Sequence, residues 1–119
     1  MTDNTDRLSE LATVTIAASG TTSDIAYVPH GHVLCGIMMP SAWTAADITL
    51  SVSYDKGTTF QTLIDAAGSN ITVASPAASK NIGLVPAQLY GIDQVKIVAS
   101  VAQDSARTIK LKFVKLVGA

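Results

Sequence analysis

His30 and His32 come nearest, by residue type and spacing, to a chemical site, and Cys35 follows them closely. On an extended strand, an H-x-H pair places both imidazoles on one face, which is a geometry that metal ions accept. A closed metal site needs two further ligands, and no feature of the sequence brings the nearest carboxylates, Asp24 and Asp47, to the histidines. We therefore expect His30 in a turn, His32 at the start of a strand, and Cys35 as a small hydrophobic residue of the core.

The sequence motifs of other enzyme classes are missing as well. Glu10 is the only glutamate, and no two carboxylates flank an aromatic platform in the way that glycoside hydrolysis requires. The glycines form no phosphate-binding loop, and the G-x-S-x-G turn of serine hydrolases does not occur. The sequence therefore predicts a protein that is not an enzyme, with no catalytic residue, no metal and no cofactor.

The sharpest local motif is Ser-Tyr-Asp-Lys-Gly-Thr-Thr-Phe, residues 53–60. It resembles the Asp-box, Ser-x-Asp-x-Gly-x-Thr-Trp, with phenylalanine in the place of tryptophan. Such a motif builds a turn, because the aspartate accepts backbone N–H bonds, the glycine takes positive φ, and the aromatic ring packs on the sheet. We expect this structural turn to be formed by Ser53, Asp55, Gly57, Thr59 and Phe60.

The charge of the chain is small and balanced. Eight basic and nine acidic side chains give a net charge of -1, and charged residues make up only 14% of the sequence. Binding to nucleic acid or to a membrane surface needs an excess of positive charge, so neither partner is expected. A single cysteine excludes an internal disulfide, and the polar, acidic start of the chain is unlike a signal peptide. We therefore expect synthesis in the cytoplasm.

The elements that must carry these residues are strands. Apolar and polar residues alternate with a period of two, and turn signals recur about every 8–12 residues, which is typical of an antiparallel sandwich or barrel. The pattern predicts about eight or nine strands, at Thr13–Ala17, Ile25–Val28, Val33–Met38, Ile48–Tyr54, Phe60–Ile64, Asn70–Val73, Lys80–Leu84, Val95–Ala99 and Ile109–Phe113. Helix is expected only as single turns at residues 7–11 and 86–90.

These elements predict an all-β fold: an antiparallel, jelly-roll-like β-sandwich. An immunoglobulin-type sandwich is disfavoured, because it needs two cysteines around a core tryptophan, and Cys35 stands alone before Trp43. We expect a short N-terminal arm over residues 1–12 and a single sandwich domain over residues 13–119.

Six residues are candidates for contacts with a partner. Trp43, in a loop, could be a platform for a ligand or could close the end of the sandwich. The basic residues of the last strand could protect an edge from stray pairing or could meet an acidic partner surface. The arm adds its own basic and apolar side chains. The candidates are Arg7, Leu8, Trp43, Arg107, Lys110 and Lys112.

From His32 to Val117 the sequence resembles a group of small tailed-bacteriophage virion proteins. The resemblance is carried by Met-Pro-Ser-Ala-Trp-Thr at residues 39–44, the strand and turn at 48–60, Leu-Ile-Asp-Ala at 63–66, and Leu-Val-Pro-Ala-Gln-Leu-Tyr-Gly at 84–91. It implies a structural virion protein made in the host cytoplasm and placed on the head surface. There it would act as a decoration, or cement, protein that binds the major capsid protein, as a homotrimer. The alternative is a tail or fibre module that binds host-surface glycans through loop aromatics such as Trp43.

Overall fold

A computed structural model describes residues 8–116, which form nine strands and one short helix. The strands are β1 (Ser9–Ile16), β2 (Ala26–Tyr27), β3 (His32–Met38), β4 (Ile48–Ser53), β5 (Gln61–Thr62), β6 (Thr72–Val73), β7 (Asn81–Gly83), β8 (Gln94–Ala99) and β9 (Arg107–Lys115). The helix is a 3-10 turn at Pro86–Gln88, where proline occupies the first turn as predicted.

The strands form two antiparallel sheets. The first has the order β1-β9-β3-β7, and the second has the order β2-β8-β4-β5, with β6 also paired to β4. The pairing follows one rule: β1 lies beside β9, β2 beside β8, β3 beside β7, and β4 beside β5 and β6. This is one long hairpin rolled up so that its two arms alternate between the sheets, which is the jelly roll. The prediction of an antiparallel, jelly-roll-like sandwich with about nine strands is confirmed.

The core lies between the sheets and follows the alternation in the sequence. In β9 the odd-numbered residues Ile109, Leu111 and Phe113 are fully buried, and in β8 Val95 and Ile97 are fully buried as well. Because successive side chains of a strand point to opposite faces, the residues between them form the outer surfaces of the sandwich.

The N-terminal boundary and one helical turn differ from the prediction. The first strand begins at Ser9, and residues 9–12 pair with residues 111–114 of β9, so they belong to the sheet and not to an arm. The sequence does not show which of these residues face inward. Apolar Leu11 is exposed at the sheet surface, while charged Glu10 faces the other way and is half-buried. Of the helical turn expected at residues 7–11, residues 9–11 lie in this strand and residue 7 lies outside the described residues.

Cys35 also departs from the expectation of a core residue. The register of β3 against β9 shifts between Leu34 and Gly36, which makes Cys35 the extra residue of a β-bulge. Its side chain is half-buried rather than buried.

Within residues 8–116, no helix has the length and apolar character needed to cross a membrane.

Candidate functional site

The turn at residues 53–60 is held by two side chains. The Ser53 hydroxyl donates to Asp55 Oδ1 at 2.8 Å and accepts the Gly57 N–H at 2.8 Å. Asp55 Oδ1 also accepts the Thr59 N–H at 2.8 Å. Gly57 has φ +94, a backbone conformation that favours glycine, and a Cβ there would lie 2.6 Å from Gln94 Oε1, so a larger residue would also have to displace the end of that side chain. The arrangement satisfies backbone donors and offers no reactive group.

Phe60 leaves the turn on the outer face of the second sheet. Its ring is half-buried and lies beneath the Lys96 ammonium, with 4.3 Å between Nζ and the ring centroid. This is a cation–π contact. The aromatic residue of the motif therefore covers the sheet.

The bonds from the Thr59 N–H and the Ser53 hydroxyl, in that order, lower the pKa of Asp55 below its usual value of 3.8. The charged carboxylate therefore adds stability above about pH 3.8, and this contribution is lost as the pH falls through the lowered pKa. We expect an NMR titration of the Thr59 amide to give a midpoint below 3.8, and Ser53→Ala to raise it. Ser51→Ala, in the same strand, is the control. A midpoint that is unchanged by Ser53→Ala would contradict this account.

All three tyrosines of the chain lie at one end of the sandwich. Tyr27 ends β2 and pairs with Gln94, which starts β8 and also pairs with the last residue of β4, just before Tyr54. Tyr90 precedes Gly91, which lies in the loop that leads into β8. The exposed fractions of Tyr27, Tyr54 and Tyr90 are 66%, 61% and 55%, and Leu8 is 66% exposed. Leu8 lies at the same end, because its carbonyl accepts the Lys115 N–H. We call these four residues the tyrosine end.

An open hollow of about 430 Å³ lies in the tyrosine end. Tyr27 forms part of its wall, and polar side chains of several loops complete it, among them His30, Lys56, Asp93 and Gln94. Asp93 Oδ2 accepts the Lys56 N–H at 3.0 Å and so ties two of these loops together. The hollow thus combines an exposed aromatic ring with hydrogen-bonding groups.

The two histidines do not form a metal site. His32 Nδ1 lies 2.9 Å from the backbone carbonyl oxygen of His30, and His32 Nε2 lies 3.7 Å from Glu10 Oε2. Over the described part of the chain, no group of three or more histidine, cysteine, aspartate or glutamate side chains could hold a metal ion.

Trp43 lies at the opposite end of the sandwich. Its ring is half-buried and packs against the core, and its indole N–H donates to the Ala46 carbonyl at 3.3 Å. Its position is compatible with the closing of the sandwich end, and its role as a ligand platform stays a prediction.

Arg107 belongs to this opposite end and not to a basic strip. Its side chain is only 11% exposed. The guanidinium donates to Gln103 Oε1, to Thr44 Oγ1 and to Asp104 Oδ1 at 3.2, 3.1 and 2.6 Å. As a partner contact Arg107 stays a prediction, but its side chain does not lie on the face of the lysines. The reason is parity: Arg107 shares the odd numbering of the buried residues of β9, whereas Lys110 and Lys112 have the even numbering of the outer face.

Of the remaining candidates, Lys110 is exposed on the outer face of the first sheet, and Lys112 is half-buried there. Leu8 is exposed in the tyrosine end, and Arg7 lies outside the described residues.

The convergence of the tyrosines was not recognised from the sequence. A signal was present, because each tyrosine stands beside turn residues: Val28-Pro29, Asp55-Lys56 and Gly91. Tyrosine next to a turn is placed at a strand end, but the sequence alone does not say which strand ends share one end of the sandwich.

The chain is a jelly-roll β-sandwich, and its three exposed tyrosines lie together at one end. No protein-family model matches the sequence, and no curated protein matches it. One solved structure that it resembles is from the Bacillus endospore appendages, which form disulfide-linked pili; the alignment covers 98% of this chain and 96% of that one, at 19% identity and a TM-score of 0.43. A likeness of this degree indicates neither the function nor the partners of the chain.

Proposed function

We propose that this chain is a structural virion protein of a tailed bacteriophage, a decoration or cement protein that binds the major capsid protein on the head surface. The observation that carries the proposal is the tyrosine end, where all three tyrosines and Leu8 are exposed together. Proteins that act by contact need such a surface, and tyrosine is enriched at interfaces because its ring is apolar and its hydroxyl can still bond to a partner.

The composition of the chain supports the same role. Only 14% of the residues are charged, so few charges lose their water when copies and partners pack closely. Under this proposal the protein works as a homotrimer, without nucleic acid or membrane, and the exposed Lys110 faces an acidic region of a partner. The molar mass of the purified protein in solution tests the trimer.

Truncation of the tyrosines is expected to abolish binding to shells. The variant Tyr27→Ala/Tyr54→Ala/Tyr90→Ala should bind purified shells that lack the protein at least about 100-fold more weakly, because each ring at the centre of an interface contributes about 1 kcal/mol or more. Co-sedimentation of the full chain with shells measures the affinity. Val101→Ala, at an apolar residue that is 46% exposed outside the tyrosine end, is the matched control and should bind normally. Equal binding of the triple variant and the wild type would refute this role of the tyrosine end.

A test of the N-terminal arm requires a deletion shorter than the predicted arm of residues 1–12. Removal of residues 1–12 would take half of β1 from the sheet, so the deletion that leaves the described strands intact is residues 1–7. If the arm contributes to the contact, this shorter deletion weakens binding to shells without a change in the urea midpoint.

The hollow favours a second candidate function, a tail or fibre module that binds host-surface glycans. An exposed tyrosine beside hydrogen-bonding groups is an arrangement that can stack and orient a sugar ring. Retention of the protein on immobilised host glycans, lost in Tyr27→Ala, together with no binding of the wild type to shells, would favour this candidate over the first.

A further inference from the structure

The strand β7 has a free edge that is rich in unpaired backbone groups. It pairs with β3 on one side and, among residues 8–116, with no strand on the other. The Met39 N–H donates to the Lys80 carbonyl and the Leu84 N–H donates to the Cys35 carbonyl, both at 2.9 Å. Since bonding residues alternate along an antiparallel pair, the N–H and C=O groups of Asn81 and Gly83 point away from β3. Both residues are exposed, so these groups face solvent at the edge.

Gly83 has no structural reason to be glycine within the described chain. Its φ is not in the left-handed region, and a Cβ built on it meets no atom within 4 Å. Glycine weakens a strand, because it has more backbone freedom to lose on folding and no side chain to pack. Without a side chain, Gly83 leaves its solvent-facing backbone groups and the groove beside them open to an extended segment, although the space there does not require glycine.

An apolar cleft opens beside this edge, between the two sheets. Its volume is about 240 Å³, and its walls include Leu50, Ile71, Ile82, Leu84 and Leu89. A dry cavity of about 150 Å³ with such walls binds benzene. The cleft therefore has room for one large apolar side chain.

Positive charge lies on the outer face of the same sheet, on β9, which is two strands from this edge. On the outer face of the first sheet, Lys112 pairs with Gly36, and Gly36 pairs with Gly83. The two glycines leave a groove of about 360 Å³ between Lys112 and the edge. Among the described residues, the charged side chains at outward positions of these four strands are those of Lys110 and Lys112 only.

We propose that the free edge of β7 is a site of β-strand addition. It takes an extended segment of a partner protein in which apolar side chains alternate with acidic ones. Because alternate side chains of an added strand point to opposite faces, the apolar residues enter the cleft and the acidic residues face Lys112 across the glycines. The backbone of the segment bonds to the free groups of Asn81 and Gly83. The site is independent of the tyrosine end and does not rest on the proposed function.

The probe is a capped eight-residue peptide of alternating valine and glutamate, added to the ¹⁵N-labelled full chain. We expect NMR shift changes at Asn81, Gly83 and the cleft residues, and at least tenfold slower exchange of the Gly83 amide hydrogen. A peptide of alternating valine and lysine should bind at least tenfold more weakly, since its charges face Lys112. A valine–glutamate peptide that is N-methylated at every residue should not bind, because it has no N–H group left to donate to the edge.

Two substitutions of Gly83 distinguish loss of the edge hydrogen bond from a general effect of changing this residue. Gly83→Pro removes the N–H that faces solvent, which an edge strand tolerates, and should reduce peptide binding at least tenfold. Gly83→Ala keeps the N–H and places its Cβ in open space, so it should bind the peptide within twofold of the wild type. The N-methylated peptide tests the complementary bonds, from the peptide N–H groups to the carbonyls of the edge, on the unaltered protein. Equal binding of the methylated and unmethylated peptides, shift changes that map elsewhere, or no change at millimolar peptide would overturn the proposal.

Discussion

Phe113→Ala is expected to destabilise the fold by about 3–5 kcal/mol, which is the usual cost of truncating a buried phenylalanine. Phe113 is 0% exposed, and β9, the strand that carries it, lies between β1 and β3. A typical domain has only about 5–15 kcal/mol of stability in total, so this one change removes a large part of it. Urea unfolding followed by circular dichroism measures the difference.

Lys110→Ala is the matched control in the same strand. Lys110 is exposed on the outer face, and its truncation should change the free energy of unfolding by no more than about 0.5 kcal/mol. Similar losses for the two variants would mean that β9 does not present alternate faces to the core and to solvent, and the sandwich described above would be wrong.

The strands that the sequence predicts most clearly are those with one fully buried face. In β4 and β8 each inward residue is apolar, so residues 48, 50 and 52 and residues 95, 97 and 99 reveal the strands without any other information. The beginning of β1 is an edge, where Glu10 is inward but only half-buried and Leu11 is outward and exposed. The rule that apolar residues face inward fails there, and with it the prediction of the arm boundary.

The features that join distant segments could not be predicted in the same way. Asp55 and its turn partners lie within eight residues, so local chemistry identified them. Arg107 bonds with Thr44, 63 residues earlier in the sequence, and Gly83 lies beside Gly36 only because β7 pairs with β3. Local sequence patterns do not reveal which strands pair, because the pairing arises from the packing of the whole chain.

Gln103→Leu is expected to cost about 3 kcal/mol or more, because it leaves several polar groups unpaired at the end of the sandwich opposite the tyrosines. Gln103 is 0% exposed. Its side-chain oxygen accepts the Thr44 N–H at 2.9 Å, and its side-chain nitrogen donates to the Thr44 and Val101 carbonyls, both at 3.1 Å. Leucine fills a similar volume but can form none of these bonds, so loss of stability would measure hydrogen bonding rather than packing.

Trp43 can report on this change, because it lies next to Thr44 in the loop to which the Gln103 side chain bonds. It is the only tryptophan, it precedes Thr44, and it is half-buried against the core. If Gln103 holds the loop in place, Gln103→Leu should shift the fluorescence emission of Trp43 to longer wavelength in the folded protein and lower the urea midpoint.

Asp104→Asn is the control, because it weakens only the ion pair of Arg107 with a carboxylate whose side chain is 78% exposed. Exposed pairs contribute about 1 kcal/mol or less, so the emission should stay unchanged and the midpoint nearly so. Were Gln103→Leu to behave like Asp104→Asn, water would already satisfy Thr44 and Val101, and the loop would be held by the packing of Trp43 alone. The comparison therefore decides whether a buried amide or an indole ring closes this end of the sandwich.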